Sequence, residues 1–359
     1  MDRLRVWARE MNFRYGLRLL SETISAEDAG EGFSAVAEVS IGKLLTIVRN
    51  ELEGAHGRVK QGACLVLGLG KLGGREMTAG SDLDIMLVYD HAPEAEESDG
   101  PKPLSPPQYY ARLTQRLVTA LTVLTPEGEL YEVDMRLRPS GSKGPLAVSF
   151  AAFEAYQKTE AWTWERMALT RARVVAGEPE LAKRVGTLIA ETLCQKRDAS
   201  EIKKDVAQMR NLMLQEHKDT ALWDLKRKEG GQVEIEFIAQ YLQLVHAWEK
   251  PGILQQNTAQ VLVKLLENGF LSKSSAAELQ AALALYQSVS QLLRLCMDGP
   301  FDPETAPVRL NSALARLAGQ PDLAATEVVL ADTQAAVAHL FTVIIGRDGI
   351  VAATPSREQ

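Results

Sequence analysis

The sequence contains little cysteine and little histidine. Its three cysteines among 359 residues, Cys64, Cys194 and Cys296, stand far apart in apolar segments. This spacing predicts reduced, buried thiols and disfavours a disulfide framework. The five histidines show no spacing with cysteine that is typical of a zinc site. Neither a disulfide scaffold nor a thiolate metal centre is therefore indicated.

Long apolar runs and an excess of positive charge are also missing. No apolar run approaches the roughly 18 residues of a membrane span, and the opening residues lack the apolar core of a signal peptide. We therefore expect a cytoplasmic protein with no membrane-spanning segment. The 40 basic and 47 acidic residues give a formal net charge of −7. This balance disfavours nucleic acid as the main partner, because such binding depends on positive charge.

The order of hydrophobic patterns predicts an α+β protein. Apolar residues have helical spacing within residues 2–24 and 33–52, and again from Phe150 almost to the end of the chain. With 46% hydrophobic residues, a chain of this length can hold two or three domains. We predict N-terminal helices in residues 1–55, a mixed α/β domain in 56–176, a helical bundle in 177–353 and a flexible tail in 354–359.

A glycine-rich loop separates two apolar runs of strand length, residues 64–69 and 85–89. Three of its glycines fit the dinucleotide-binding pattern G-x-G-x-x-G, namely Gly68, Gly70 and Gly73. A dinucleotide fold joins its parallel strands through a crossover of about ten residues or more. Residues 74–81 are too few for that crossover, so we predict neighbouring strands joined by a loop.

Two interpretations of this loop remain open from the residues alone. Its backbone N–H groups and Lys71 can face a phosphate chain. A tight turn that needs glycine only for its backbone angles explains the same residues equally well. The loop does not match the Walker A pattern, because neither lysine nor Ser/Thr stands at the required positions.

Two acids begin the second apolar run. Asp82 and Asp84 are separated by one leucine, so on a strand both carboxylates lie on one face and Leu83 on the other. Each acid alone is more often a solvated residue at a strand end. Paired acids beside a buried strand are costly without a cation between them, which makes a divalent metal site a hypothesis.

A third acid lies on a second alternating segment. Residues 130–138 alternate apolar and polar side chains, which predicts a half-buried strand. Its polar face would carry Glu132, Asp134, Arg136 and Arg138 in a row. Three carboxylates from two strands can hold two Mg²⁺ ions, or Mn²⁺, while cationic side chains neutralise a triphosphate. This combination favours nucleotidyl transfer.

At this point the sequence resembles a known family. The order of motifs GLGKLGG, GSDLDI, YEVDMRLRPSG, AFEAYQKTEAWTWERMALTRARVV and DLKRKEGGQVEIEFIAQYL is similar to that of glutamine synthetase adenylyltransferases, across residues 60–250. The resemblance implies a polymerase-β-like nucleotidyltransferase domain followed by a helical bundle. Members carry two related halves, and this chain resembles one of them, the C-terminal adenylyl-transferring half more than the adenylyl-removing half.

The resemblance also implies a set of site residues. Asp82, Asp84 and Asp134 would be the catalytic, metal-binding acids. Nucleotide phosphates would be lined by Gly70, Lys71, Gly73, Gly74, Ser81, Arg136 and Arg138. Two departures from the family pattern are the position of the glycine pair, seven residues before the acids, and Glu234 where the family has aspartate.

Three further candidates lie in the later motifs. Glu234 and Glu236 are two residues apart on a predicted helix, so at most one should point at the site. Arg171 lies on a helix predicted over residues 162–175. Arg173 lies two positions further on the same predicted helix, so only one of the two arginines should face the cleft.

The implied reaction moves AMP from ATP to a tyrosine of glutamine synthetase and releases pyrophosphate. The alternative is the adenylyl-removing reaction, in which phosphate displaces AMP from that tyrosine to give ADP. A third hypothesis, of another class, is a non-catalytic module that docks a PII-type signal protein. A nucleic-acid nucleotidyltransferase is disfavoured by the acidic balance.

Overall fold

A computed structural model describes residues 1–217 and 220–347. The predicted end of the bundle, residues 348–353, and the predicted tail, residues 354–359, lie outside the described residues. The helices are α1 (Asp2–Leu20), α2 (Ala26–His56), α3 (Gly70–Gly74), α4 (Pro106–Thr122), α5 (Phe150–Thr159), α6 (Thr163–Leu169), α7 (Pro179–Leu193), α8 (Ala199–Glu216), α9 (Gln232–His246), α10 (Thr258–Glu267), α11 (Lys273–Cys296), α12 (Val308–Leu317) and α13 (Leu323–Ile344). The strands are β1 (Ala63–Gly68), β2 (Leu83–Asp90), β3 (Val133–Asp134), β4 (Ala147–Ser149) and β5 (Arg173–Gly177).

The strands form one mixed sheet. β1 pairs antiparallel with β2 on one side and with β5 on the other. β2 pairs in parallel with both β3 and β4. The structure is 61% helical with this five-stranded sheet, so the α+β prediction is confirmed. The antiparallel β1–β2 pair also excludes a dinucleotide-binding unit, whose two strands run parallel.

The sheet separates two hydrophobic cores. Alternate residues of a strand point to opposite faces, and in β1 Cys64 and Val66 enter a first core with residues of α2 and α4. Leu65 and Leu67 enter a second core on the other face, which continues through α5 and α7 into α9, α11 and α13. The predicted domain boundaries near residues 55 and 176 stay predictions, because the second core runs from the sheet into the later helices.

Helix α2 is a long helix with a well-formed start. The Ser25 hydroxyl accepts a hydrogen bond from the Asp28 backbone N–H, and the Asp28 carboxylate accepts one from the Ser25 N–H. This reciprocal cap satisfies two donors that a helix start otherwise leaves unpaired. Apolar side chains along α2, including Phe33, Leu44 and Leu52, then pack into the first core.

Two predicted elements are wrong in type or length. The helix predicted over residues 162–175 ends at Leu169, and the next residues form strand β5, Arg173–Gly177. Residues 173–177 are a short apolar segment with two valines, whose periodicity is compatible with a helix or a strand. They form a strand because they pair with β1. The strand predicted over residues 130–138 pairs only at Val133–Asp134. It turns there because the Asp134 carboxylate accepts the Arg136 backbone N–H at 2.7 Å.

Helix α13 is, within the described residues, the one helix long and apolar enough to cross a membrane. Length and composition alone are weak support for a membrane span, because core helices meet the same criteria. Here α13 packs against α9, α11 and α12. Its Glu327 carboxylate accepts a hydrogen bond from the Trp223 indole at 2.9 Å.

The central position of β1 leads to a stability prediction. Leu67 is fully buried in the second core, whereas Leu124 is 77% exposed. Leu67→Ala should lower the free energy of unfolding by about 3 kcal/mol, through lost burial and a residual cavity. Leu124→Ala, the same deletion at the surface, should change it by less than about 0.5 kcal/mol. Urea unfolding of both variants measures the difference, and equal shifts would contradict the packing described for β1.

Candidate active site

Three carboxylates meet at the start of β2. Asp82 directly precedes β2, Asp84 lies in it, and the parallel register places Asp134 of β3 opposite Asp84. Leu83 between the two acids is fully buried, so strand alternation directs both carboxylates to the other face, as predicted. One oxygen from each acid lies within 4.8 Å of the others. Within residues 1–217 and 220–347, no other group of three acids, histidines or cysteines is this close.

The negative charges of these acids repel one another. Burial, followed by repulsion from Asp82 and Asp134, raises the pKa of Asp84 to about 6. The Arg136 guanidinium instead lowers the pKa of Asp134, because it donates to the carboxylate at 2.5 and 2.8 Å. Arg136 is 81% exposed and can move away. The three carboxylates are hard oxygen ligands, and nearby cationic side chains neutralise only part of their negative charge. Such a group of ligands is suited to Mg²⁺ or Mn²⁺.

The glycine loop packs closely against these acids. Gly70 has a positive φ of 49°, and a Cβ atom there would lie 2.1 Å from the Asp84 Oδ2. A Cβ atom at Gly73 would meet the Arg171 carbonyl oxygen, and one at Gly74 would meet the Arg171 guanidinium. Close packing therefore accounts for the three glycines. Contact of their N–H groups with phosphate stays a prediction.

Ser81 and Lys71 both form hydrogen bonds with Thr78. The Ser81 hydroxyl accepts the Thr78 backbone N–H and shares a 2.8 Å hydrogen bond with its hydroxyl. The Lys71 ammonium donates to the same Thr78 hydroxyl at 3.5 Å. Burial lowers the pKa of Lys71 to about 8, with repulsion from Lys226 as the next cause. A bound anion would stabilise the charged form of Lys71 and raise its pKa again.

A buried ionic network ties the loop to the later helices. The Arg171 guanidinium donates to Glu76, just after α3, and lies 3.3 Å from the Glu236 carboxylate of α9. Glu76 also accepts the Thr258 backbone N–H at 2.5 Å, at the start of α10. Burial raises the pKa of Glu76, while Arg171 and Thr258 oppose that shift. The network fixes the position of the loop against α9 and α10, because one guanidinium lies between two carboxylates that come from these separate parts of the chain.

Of the two glutamates on α9, one faces this region, as predicted. Glu236 contacts Arg171, and the Gln232 amide donates to it at 2.9 Å. Glu234 is fully buried on another side of the helix and pairs with Arg210 of α8 at 3.0 Å. Glu234 therefore holds two helices together, and the structure does not bring it to the three acids.

Arg138 does not share a polar face with Asp134. Because the strand ends at Asp134, the following residues form a loop, and the buried Arg138 guanidinium donates to four backbone carbonyls within it. These carbonyls belong to Met135, Ser142, Gly144 and Pro145. The expectation that Arg138 follows Asp134 on one strand face is wrong for this reason, and Arg136 alone of the two arginines reaches the acids.

Two cationic residues near the site were missed from the sequence. Lys226, before α9, and Arg294, on α11, line a cleft together with Lys71. Lys226 belongs to the segment DLKRKEGG, so the basic run before the glycines was an available signal. Arg294 has no such signal, because a single exposed arginine on a helix is ordinary and only tertiary packing brings it near Lys71.

A family model described as glutamate-ammonia ligase adenylyltransferase matches residues 1–187. The chain belongs to this adenylyltransferase family. Glutamate-ammonia ligase is glutamine synthetase, so the resemblance noted from the motifs is confirmed. A second model, described as GlnD PII-uridylyltransferase, matches residues 198–345.

Several curated proteins are similar to this adenylyltransferase-family chain over 96% of its length. This chain is 46% identical to the protein from Bradyrhizobium diazoefficiens and 45% identical to the protein from Rhodopseudomonas palustris strain CGA009. It is 46% identical to the protein from Xanthobacter autotrophicus. Each is named bifunctional glutamine synthetase adenylyltransferase/adenylyl-removing enzyme. The chain spans about a third of their length, 35% in each case.

The close approach of Gly70 to Asp84 can be tested by substitution. Gly70→Ala should push the Asp84 carboxylate aside and abolish Mn²⁺ binding, measured by calorimetry. Gly80→Ala is the matched control, because Gly80 also has a positive φ, 65°, but nothing lies within 4 Å of its Cβ position. The control should lose only about 1 kcal/mol of stability and keep Mn²⁺ binding. Intact Mn²⁺ binding in Gly70→Ala would contradict the geometry.

The raised pKa of Asp84 predicts a pH dependence. Below about pH 6 the folded protein holds a proton on Asp84, and this proton competes with the cation. Mn²⁺ affinity should therefore fall about tenfold between pH 7.5 and pH 5.0, as titrations at the two values would measure. An affinity that is constant over this range would contradict the assignment.

The same shift has a consequence for stability without metal. Since the folded pKa of Asp84 lies above its ordinary value, the ionised carboxylate destabilises the metal-free fold above about pH 6. Asp84→Asn should raise the melting temperature of metal-free protein at pH 7.5 and remove stabilisation by added Mn²⁺. Asp332→Asn, at an exposed position on α13, is the control that should do neither.

Proposed function

We propose that this chain transfers AMP from ATP to a tyrosine hydroxyl of glutamine synthetase and releases pyrophosphate. The observation that carries the proposal is the meeting of three carboxylate oxygens within 4.8 Å, where the glycine loop packs against Asp84 at Gly70. Family membership and the printed names of the relatives support the substrate. Since those relatives are about three times longer, activity of this chain by itself is part of the proposal.

The residues have separate roles in this reaction. Asp82 and Asp84 would hold Mg²⁺ or Mn²⁺, and Asp134 completes the site and orients the incoming tyrosine hydroxyl. Bound divalent ions would stabilise the charge on the attacking and leaving oxygens. The tyrosine oxygen forms a bond to the α-phosphorus as the bond between the α-phosphorus and the bridging oxygen breaks. Pyrophosphate leaves with that oxygen, and Asp134 accepts the hydroxyl proton and passes it to solvent. Lys71 and Arg136 neutralise the phosphates.

The adenylyl-removing reaction is the second candidate, because the relatives are named for both activities. It uses the same acids, with phosphate as the attacking group and ADP as product. The motif AWTWERMALTRAR favours the transferring reaction. A PII-type signal protein as a regulator is supported by the match of residues 198–345 to the PII-uridylyltransferase model. We place the protein in the cytoplasm, where glutamine synthetase acts.

Loss of the first acid should abolish the transfer. Asp82→Ala should lower AMP incorporation about a thousandfold, since one charged ligand of the metal site is removed. The measurement incubates the chain with Mg²⁺, unmodified glutamine synthetase and ATP labelled at the α-phosphate. Asp332→Ala removes the same charge from the exposed face of α13 and should retain wild-type activity.

The same assay separates the alternatives. Label on the synthetase tyrosine supports transfer. Absence of label, with ADP formed from adenylylated synthetase and phosphate, supports removal. Absence of both products, with PII protein still bound, supports the non-catalytic module. Wild-type turnover in Asp82→Ala would overturn the metal-dependent mechanism.

A further inference from the structure

A cleft of about 960 Å³ opens next to the glycine loop, at Lys71. Lys71 of α3 lines it from the α/β side. The opposite wall comes from the segment before α9 and from the end of α11, which supply Lys226, Arg227 and Arg294. Its acidic lining is limited, among the described residues, to Glu216 and Asp224. Among the described lining residues, cationic side chains therefore outnumber acidic ones.

Lys71 connects this cleft with the acids. It follows Gly70, whose Cβ position lies against the Asp84 carboxylate, and it shares the cleft lining with Lys226 and Arg294. Lys226 and Arg294 both lower the pKa of Lys71, whereas Glu236 raises it. These effects agree with the cleft lining, in which Lys71, Lys226 and Arg294 surround one space.

These three cations have no ionic partner within residues 1–217 and 220–347. In contrast, Arg171 is held between Glu76 and Glu236 a short distance away. The Asp224 carboxylate in the cleft accepts the Arg227 backbone N–H at 3.0 Å, within its own turn. Cations that repel one another at the wall of a cleft are stabilised when an anion binds between them.

We propose that Lys226 and Arg294 complete, with Lys71, the subsite for the β- and γ-phosphates of the nucleotide. The proposal rests on the proposed function, because it places the leaving pyrophosphate on the side of the acids that faces this cleft. Arg294 can bind two phosphate oxygens through its planar guanidinium, and Lys226 acts as a point charge. Phosphate recognition then requires the later helices as well as the sheet.

Lys226 and Arg294 would also supply the positive charge that Arg138 was expected to bring to the phosphates. The Arg138 donors are taken by loop carbonyls, so a triphosphate needs other cations. Lys226 and Arg294 are exposed to the cleft and lie in a part of the chain distinct from the metal acids. Their loss should therefore weaken phosphate binding and leave the three carboxylates intact.

Binding of inorganic tripolyphosphate to the full chain tests the subsite. In Mg²⁺ buffer, Lys226→Ala and Arg294→Ala should each weaken binding by about tenfold or more, measured by calorimetry. Lys226→Arg should retain most of the affinity. All variants should still bind Mn²⁺ in the absence of phosphate, which shows that the fold and the acids are intact.

Matched controls separate a specific site from general charge. Lys204→Ala on α8 and Arg309→Ala on α12 remove the same charges from exposed positions outside the cleft lining. Both should bind tripolyphosphate as the wild type does. Equal weakening in the controls, or no binding by the wild type, would overturn the subsite.

The outcomes also distinguish this inference from the proposed function. If AMP transfer occurs but Lys226→Ala and Arg294→Ala bind tripolyphosphate normally, the subsite is wrong and the proposed function stands. If the two variants lose tripolyphosphate binding but the wild type transfers no AMP, the subsite stands and the proposed function is wrong. In an active enzyme, both variants should raise the KM for ATP more than they lower kcat.

Discussion

Mutual repulsion among Asp82, Asp84 and Asp134 is the constraint on which the site depends. Their oxygens approach within 4.8 Å because β2 and β3 run parallel in a fixed register. Such an arrangement raises the free energy of the empty fold, as the elevated pKa of Asp84 indicates. The surrounding chain maintains it nevertheless. Leu83 anchors the strand in the core below, and Gly70 leaves the space that the Asp84 carboxylate occupies.

The later helices take part in this arrangement. Glu76 follows the glycine loop and is held by Arg171 and by the start of α10. Arg171 in turn reaches Glu236 on α9. A buried network of this kind contributes little net stability, but it fixes geometry because removing any one member leaves a buried charge unpaired. The glycine loop therefore takes its position from helices that follow it by more than 150 residues, and the cleft lies between the two parts.

The sequence was sufficient where local pattern determines structure. β1, β2 and the shared face of Asp82 and Asp84 follow from apolar runs and strand alternation. It was insufficient where tertiary contacts decide. Pairing with β1 made residues 173–177 a strand, and a hydrogen bond from the Arg136 backbone to Asp134 ended β3 early. Arg294 reaches the cleft only through packing of α11, which no local pattern reports.

Binding of divalent cations by the three acids, together with the phosphates of a nucleotide, can be observed in anomalous diffraction from crystals grown with Mn²⁺ and a non-hydrolysable ATP analogue. We expect Mn²⁺ peaks among the oxygens of Asp82, Asp84 and Asp134, with the triphosphate extending toward Lys71. Nucleotide bound elsewhere, or no Mn²⁺ peak at these oxygens, would contradict this expectation.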